Sequence, residues 1–383
     1  MTLGRFVTPG PLLCTNTSNR AEVACANGGI RAQSPPLFHS CPLSRHADLS
    51  TGGGSCAANA GVTRLAVVMD TPSPDDPLVF ARDVRKTGEN PNSLTRAVRR
   101  NELARIAPGS YMSRQHWDAL NEIQRTTQRA RAASERWKSA PVFSHWTAAA
   151  IHGIPLIGAW PTRIHVIVER DSSVRSRGEI VRHAVGVNPD DVVLIDGMLV
   201  TSVARTVLDL AVDATFMSAV TAADFALCHR REARIEKPAL DEMWERRLPF
   251  RGHVRARRVL DFATHLAESP LESGSRVNMH LLGFPAPELQ VEWRDYRGLI
   301  GYSDFFWRAF NRVGEADGRA KYFDDALTRG KSLKQILFDE KIREDRIRAL
   351  GPGFSRWDWD IGMNPRRLKP FLLAAGLPIV PRR

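Results

Sequence analysis

The stretch "YSDFFWRAFNRVGEADGRAKYF", residues 302–323, decides how the C-terminal part of this chain is interpreted. Side chains that alternate between two faces on either side of the short connection "RAFN" predict a β-hairpin. Asp304 lies on the first strand, and Glu315 and Asp317 share one face of the second. These acids either converge on a functional site or are polar residues on the solvent-exposed face of the hairpin.

Carboxylates on neighbouring strands provide the oxygen ligands that Mg²⁺ prefers. If the strands pair through the short connection, Asp304 approaches Glu315 and Asp317, so we predict these three residues as metal ligands. Mg²⁺ or Mn²⁺ bound there would activate water and offset the charge that develops on a scissile phosphate. Lys321 follows the hairpin closely in the sequence.

The segments around the hairpin add a helix before it and a helix–strand unit after it. Ser269 and Glu272 have the spacing of a capping box, with Pro270 at the first helical position, so Glu272 also has a purely structural interpretation. Residues 332–351 predict a helix, and "FSRWDWD" predicts a strand. Helical spacing predicts that one side of this helix is buried, with the residues Leu333, Ile336, Leu337, Ile342, Ile347 and Leu350. It predicts as exposed Lys341, Arg343, Arg346 and Arg348, either in intrahelical ion pairs or in phosphate contacts.

In this order, the elements of residues 260–365 resemble the PD-(D/E)XK restriction-endonuclease-like fold, closest to its Vsr-like branch. The resemblance implies that Asp304 is the metal-binding aspartate, Glu315 the acid of the following strand and Glu272 the acid of the first helix. Asp317 stands where the family often has lysine, and Lys321 is the candidate replacement. These five residues are the predicted catalytic set of a Mg²⁺-dependent DNA endonuclease. A nuclease-derived module that binds DNA without cutting it is the alternative.

The overall charge favours an anionic partner. The chain has 54 Lys and Arg against 42 Asp and Glu, a net charge of +12, and nucleic acid is the commonest anionic partner of such proteins. A generally Arg-rich proteome would give the same balance.

No apolar run approaches the roughly 20 residues of a membrane helix, and the first 30 residues lack the pattern of a secretory signal. We therefore expect a cytoplasmic protein without a membrane partner.

Residues 78–112, "LVFARDVRKTGENPNSLTRAVRRNELARIAPGSYM", predict a helix, a turn, a second helix and a short hairpin. This is the pattern of a winged helix, whose second helix enters the major groove of DNA. Arg96, Arg99 and Arg100 on that helix are the predicted DNA contacts. The alternative is a small helical adaptor with a solvated basic face.

The middle of the chain predicts helices and strands without a recognisable metal motif. We expect one Arg-rich helix from Trp117 to Trp137, a helix capped by Ser144, a strand at "RIHVIVER" and a hairpin turning at Asp196-Gly197. Arg205 and Asp209 stand one helical turn apart, which predicts a surface ion pair. His145, His152, His165 and His183 lack the spacing of known metal motifs, so we interpret them as structural or surface residues.

The runs "SHWTAAAIHGIP" and "DGMLVTSVARTVLDLA", together with the predicted winged helix, resemble the AbiEi family of type IV antitoxin-like proteins over residues 78–230. The resemblance implies DNA binding, transcriptional control and a cognate toxin as partner. It does not imply catalysis in this part of the chain.

Taken together, the sequence predicts a multidomain α/β (α+β) protein. Its segments are a disordered extension 1–76 with Met69 as the expected natural start, a winged helix 77–113, an antitoxin-type α/β domain 114–230, a linker 231–258 and an endonuclease-fold domain 259–383. The predicted function is a DNA-binding antitoxin-like regulator with a nuclease-fold C-terminus. The alternative is a non-catalytic transcriptional regulator or toxin-neutralising protein with a degenerate nuclease domain.

Overall fold

The computed structural model describes residues 78–88, 90, 92–137, 139–317 and 332–380. The predicted α/β multidomain fold is confirmed, because helices alternate with three separate sheets. The predicted extension 1–76, with Met69, lies outside the described residues. Within the described part of the chain, no helix is long and apolar enough to cross a membrane.

The first sheet has three strands in the order β1-β3-β2. Its elements are β1 (Val79–Phe80), α1 (Ala81–Lys86), α2 (Asn92–Arg99), β2 (Leu103–Ala107) and β3 (Ser110–Ser113). The predicted order of two helices and a hairpin is confirmed. One detail differs, because Val79 and Phe80 are extended and pair with Tyr111 and Ser110 instead of starting the first helix. The hairpin turns at Gly109, whose φ of 77° is in the left-handed region that glycine adopts without strain.

The single helix predicted from Trp117 to Trp137 is wrong, because the structure has two helices, α3 (Arg114–Ala119) and α4 (Glu122–Ser134). Asn121 causes the break. Its side chain accepts a hydrogen bond from the backbone N of Gln124, and the Gln124 side chain accepts one from the backbone N of Asn121. This reciprocal capping box satisfies amide groups at the start of α4 and so favours a new helix at that point.

The second sheet has five strands in the order β6-β5-β4-β8-β7. Its strands are β4 (Val142–Phe143), β5 (Ile164–Val168), β6 (Ile180–Ala184), β7 (Val192–Ile195) and β8 (Met198–Thr201). The predicted hairpin is confirmed, because β7 and β8 pair antiparallel around Asp196 and Gly197, both with positive φ. Two left-handed residues in succession match the twist of the flanking strands.

Five helices pack beside this sheet: α5 (His145–Ile151), α6 (Val203–Asp213), α7 (Phe216–Leu227), α8 (Lys237–Arg247) and α9 (His253–Phe262). Their shared core includes Leu208, Leu240 and Leu260, each at most 1% exposed. Residues 231–258, predicted as a linker, therefore contribute α8 and part of α9 to this core. The segment was predicted as a linker because it has many charged residues, but its apolar residues recur at helical spacing and form a buried side.

Two local expectations in this region need correction. Ser144 does precede α5, but its hydroxyl contacts His145 Nδ1 at 2.9 Å instead of capping the helix. The ion pair of Arg205 and Asp209 exists, with Arg205 Nε 2.9 Å from Asp209 Oδ1. It is not on the surface, because the two residues are 0% and 6% exposed. The helix α6 is apolar on most sides, so this pair is enclosed.

The third sheet has the strand order β12-β11-β10-β9, and β12 is parallel to β11 while the other neighbours are antiparallel. Its strands are β9 (Glu288–Asp295), β10 (Gly298–Trp307), β11 (Arg312–Ala316) and β12 (Gly353–Trp357). Its helices are α10 (Pro270–Leu282), α11 (Leu333–Ala349), α12 (Trp359–Gly362) and α13 (Pro365–Ala374). The predicted hairpin is confirmed, since β10 and β11 are joined by the turn at residues 308–311.

The two faces of this sheet are covered separately, as the alternation of side chains predicts. Phe305, Trp307 and Trp357 belong to a core with α10 and α13. Phe306 and Val313 belong to another core that includes Ile347 of α11. The carboxylates of interest therefore lie in a sheet that is packed on both sides.

The predicted buried side of α11 is largely wrong. Of the apolar residues predicted there whose side chains the structure describes, Ile347 is buried, whereas Leu337, Ile342 and Leu350 are each at least 40% exposed. The side chains of Leu333 and Ile336 lie outside the described part. Arg343 and Arg346, predicted as exposed, instead bond to the sheet. The helix thus contacts the sheet largely through charged groups. Such contacts cannot be predicted from the spacing of apolar residues.

Candidate active site

The register of the third sheet places the predicted metal ligands in one row. Phe305 pairs with Gly314 across β10 and β11, so the next pair along the ladder brings Asp304 beside Glu315. Asp304 Oδ2 accepts a hydrogen bond of 2.9 Å from the backbone N of Ala316. On the other side of β11, Glu315 pairs directly with Arg356 of β12. The row therefore has two adjacent carboxylates, Asp304 and Glu315, followed by the guanidinium of Arg356.

Glu315 is the central residue of the row and is only 6% exposed. Its Oε2 atom accepts hydrogen bonds from Arg343 Nη2 at 2.7 Å and from Arg356 Nη2 at 2.9 Å. Its Oε1 atom is buried without a hydrogen-bond partner among the described residues. Burial raises the pKa of Glu315, Arg343 and Arg356 oppose this rise, and Asp304 adds to it. The carboxylate is thus incompletely compensated, despite two arginines.

Arg356 is shared among several acids. Its Nη1 atom is 3.8 Å from Asp317 Oδ2 and 3.4 Å from Glu340 Oε2, and its Nη2 atom is 3.4 Å from Glu344 Oε2. Burial opposes the change, but these acids and Glu315 together raise the pKa of Arg356. A guanidinium with this many acidic neighbours is fixed in the site as a permanent positive charge.

Asp317 lies at the end of β11, where its backbone N donates to the Trp357 carbonyl at 2.8 Å. The structure does not bring Asp304, Glu315 and Asp317 together as three ligand atoms within 4.8 Å of one another. The predicted three-carboxylate metal cluster is therefore present only as the adjacent pair of Asp304 and Glu315. Lys321, the candidate replacement for the missing lysine, lies outside the described residues.

Glu272 has the structural role that its spacing predicts. Ser269 Oγ accepts a hydrogen bond from the backbone N of Glu272 at 3.2 Å and donates to its Oε1 atom at 2.7 Å. The Oε2 atom accepts from the backbone N of Glu268 at 3.0 Å and from Gln290 Nε2 at 3.3 Å. Ser269 is therefore the cap of α10, and Glu272 supports it by holding the Ser269 hydroxyl and the Glu268 backbone N. The predicted catalytic role of Glu272 stays a prediction.

Helix α11 also binds strands β10 and β9 of the sheet. Arg343 Nη1 donates to the carbonyl of Tyr302 at 3.0 Å. Arg346 forms a bidentate pair with Asp295 at 2.7 and 2.8 Å. The hydrogen bond from Arg346 holds the pKa of Asp295 at about 2, well below its usual range. These contacts fix Arg343 directly above Glu315.

The predicted DNA contacts lie on α2 and just after it. Arg96 and Arg99 are exposed and three residues apart, so they share one side of the helix. Arg100 differs, because it forms a two-point ion pair with Glu102 at 2.8 and 2.9 Å. The Arg100 side chain lowers the pKa of Glu102. Arg96 and Arg99 are thus the better placed of the three for contact with phosphate.

A second group of ionisable residues contains three histidines that the sequence led us to interpret as structural or surface residues, together with an aspartate that the sequence did not single out. His145, His165 and His183 lie together with Asp213 in the five-stranded sheet and its helices, residues 142–262, which we call the middle unit. They come from α5, β5, β6 and the end of α6, and no two of them share a local motif. The available signal was a histidine on each of two successive strands, "RIHVIV" and "IVRHA", which pair in parallel.

Comparison with known proteins does not name a function. No family model matches the chain. Two uncharacterized proteins of Mycobacterium tuberculosis, MT2308 of strain CDC 1551 / Oshkosh and Rv2248 of strain H37Rv, are each 35% identical over 165 residues, which is 42% of this chain and 56% of each relative. The crystal structure of RV2827C protein from M. tuberculosis matches 51% of this chain and 79% of its own at 16% identity, with a TM-score of 0.31. The match thus spans little more than half the length of the curated relatives.

Proposed function

We propose that this chain is a DNA-binding, antitoxin-like regulator whose C-terminal unit hydrolyses DNA with bound Mg²⁺ or Mn²⁺. One observation carries the catalytic part. Glu315 Oε1 is buried without a hydrogen-bond partner among the described residues and lies beside a second carboxylate, Asp304. A buried, unpaired carboxylate oxygen next to a like charge is costly, and a divalent cation would compensate both groups.

The residues present fit such an ion. Asp304 and Glu315 would hold it, since two carboxylates leave room for the water and phosphate oxygens that usually complete a Mg²⁺ site. The ion would supply Lewis-acid stabilisation of the phosphate and an activated water. Arg343 and Arg356 have guanidinium donors beside Glu315 and can offset the charge that builds up on the phosphate.

The DNA-binding part of the proposal draws on the net charge and on the first unit, which is the three-stranded sheet with α1 and α2 at residues 79–113. The net charge is +12, and Arg96 and Arg99 are exposed on the second helix of a helix–helix–hairpin arrangement. Such a helix is suited to the major groove of DNA. The resemblance to AbiEi antitoxins adds transcriptional control and a cognate toxin to the proposal.

A second candidate function is a non-catalytic regulator with a degenerate nuclease unit. The observation that favours it is that Arg343 and Arg356 already bond to Glu315 Oε2. In this version the acids and arginines form a buried ion-pair network that specifies the packing of α11 on the sheet. Such networks contribute little net stability, but breaking one partner is costly.

The test is cleavage of supercoiled and linear duplex DNA by the wild-type chain and by Asp304→Asn, with Mg²⁺, Mn²⁺ or a chelator. We expect metal-dependent cleavage by the wild type and a loss of about 100-fold or more in Asp304→Asn, because metal assistance is worth several kcal/mol. Binding of Mn²⁺, followed by electron paramagnetic resonance, should weaken in the same variant.

Glu288→Gln is the matched control, since Glu288 is an exposed carboxylate on β9 of the same sheet and pairs with Arg308. It should cleave and bind Mn²⁺ like the wild type. Equal cleavage by the wild type and Asp304→Asn would contradict the assigned site. No cleavage and no Mn²⁺ binding by the wild type would favour the non-catalytic alternative.

A further inference from the structure

The second ionisable group has the arrangement of a metal site. The ligand atoms of His145, His183 and Asp213 all lie within 4.8 Å of one another. Asp213 Oδ2 is 3.3 Å from His145 Nε2 and 3.8 Å from His183 Nδ1. The two imidazole rings are stacked with their centroids 3.5 Å apart. We propose that these three side chains bind a divalent transition-metal ion of the Zn²⁺ class, in addition to the proposed nuclease site.

The chemistry of the ligands selects this class of ion. Two imidazole nitrogens and one carboxylate oxygen are a common protein set for Zn²⁺ and neighbouring transition metals, whereas Mg²⁺ and Ca²⁺ prefer oxygen alone. Three protein ligands leave one position of a tetrahedral ion open. The set carries one negative charge when both rings are neutral, so it attracts a divalent cation.

Each histidine is also held by its other ring nitrogen. His145 Nδ1 is 2.9 Å from Ser144 Oγ, and Asp209 Oδ2 lies 3.9 Å away from it. His183 Nε2 is 3.0 Å from His165 Nδ1. Histidines that bind metals usually have such a partner, because it fixes the ring and leaves the opposite nitrogen for the ion. Here the opposite nitrogens are the two that face Asp213.

Burial suits both the binding and the entry of an ion. The side chains of His145 and His183 are 5% and 16% exposed, while that of Asp213 is 39% exposed. The carboxylate therefore opens the site to solvent on one side.

The backbone of His145 has an unusual conformation. Its φ is 51°, in the left-handed region that residues other than glycine rarely adopt. Ser144, His145 and Asp213 could instead form a hydrolytic triad. Ser144 is 0% exposed, however, so its hydroxyl cannot contact a substrate.

The test is Zn²⁺ binding by the full chain after removal of metal with a chelator. Competition with a chromophoric chelator gives the stoichiometry, and Co²⁺ gives visible absorption bands that report nitrogen ligands. We expect the wild type to bind one equivalent of Zn²⁺ more than His183→Ala or Asp213→Asn. Both variants should lack the corresponding Co²⁺ bands. Metal held elsewhere in the chain cancels in this comparison.

His265→Ala is the control, since His265 is an exposed histidine far along the sequence from the three ligands. It should bind as much Zn²⁺ as the wild type. Asp213→Asn changes one partly exposed group, so it tests the proposal even if His183→Ala does not fold. Equal stoichiometry in the wild type and Asp213→Asn, with unchanged Co²⁺ bands, would overturn the site. DNA cleavage by the nuclease unit would be unaffected by that result.

Discussion

The middle unit and the C-terminal unit each bury one carboxylate in the same way. Asp209 and Glu315 are both 6% exposed, each has one oxygen bonded to arginine, and the other oxygen has no hydrogen-bond partner among the described residues. The difference lies in what faces that second oxygen. In the middle unit it faces the ring of His145 at 3.9 Å. In the C-terminal unit the neighbouring ionisable group is another carboxylate, Asp304.

The comparison teaches that the neighbour decides the use of a buried acid. Asp209 lies 3.9 Å from the His145 ring, so it adds negative charge next to the proposed Zn²⁺ site. A carboxylate beside a like charge raises the demand for a cation, so Glu315 is suited to bind Mg²⁺ directly. The arginine in each region supplies permanent charge but does not remove the unpaired oxygen.

The largest expected effect concerns the arginine of the middle unit. Arg205→Met should lower the free energy of unfolding by about 3–5 kcal/mol, because it leaves the buried Asp209 without its charged partner. The midpoint of urea unfolding measures this loss. Arg257→Ala is the control, since Arg257 forms a pair of the same spacing with the exposed Asp261. Its expected loss is about 0.5 kcal/mol, and equal losses in both variants would contradict the assigned burial.

The arginine of the C-terminal unit should behave differently. Arg343→Met removes a cation that competes for Glu315 and a donor that can contact the phosphate. We therefore expect tighter Mn²⁺ binding together with slower DNA cleavage, by roughly tenfold or more, as for the loss of a charge-assisted hydrogen bond. Mn²⁺ titration and initial rates on the same samples measure both. Weaker Mn²⁺ binding with unchanged cleavage would assign Arg343 to packing alone.

The first unit provides a smaller effect on DNA binding. Replacing both Arg96 and Arg99 by Ala should reduce the slope of log affinity against log salt by about 1.8, since each lost phosphate contact changes it by about 0.9. Fluorescence anisotropy at several salt concentrations measures the slope. Replacing Arg82 and Arg114, which are exposed and paired with Glu135 and Asp118, removes the same charge as a control. An equal change in slope in both double variants would show that position on α2 does not matter.

The smallest effect concerns pH. Arg346 holds the pKa of Asp295 at about 2, below its ordinary value of 3.8. A lowered carboxylate pKa adds stability above pH 3.8 that is lost as the pH falls toward 2. Asp295→Asn should therefore lose part of the dependence of the urea midpoint on pH between 4 and 2. A wild-type slope in the variant would show that this pair is not maintained in solution.

Local patterns made the C-terminal site predictable. Asp304 and Glu315 lie 11 residues apart on two strands of one hairpin, so alternation and a short turn were enough to place them side by side. The contact between Ser269 and Glu272 at the start of α10 also followed from spacing. Arg343 was misplaced, because helix α11 is charged on several sides and periodicity could not indicate which side meets the sheet.

The middle site was not predictable in the same way. His145, His183 and Asp213 come from α5, β6 and α6, and only the tertiary packing of these elements brings them together. The i,i+4 spacing of Arg205 and Asp209 predicted their contact but not their burial, which depends on α8 and α9 packing over α6. Those two helices include much of the segment that its charge had predicted to be a linker.

The most direct test of the central claim is Mg²⁺-dependent DNA cleavage by the wild type and by Glu315→Gln, measured with Mn²⁺ binding on the same preparations. The substitution preserves the size of the side chain and removes the charge that the metal would meet. We expect cleavage by the wild type, a loss of about 100-fold or more in Glu315→Gln and weaker Mn²⁺ binding, with DNA affinity unchanged. Cleavage and Mn²⁺ binding that are the same in both proteins would contradict the account.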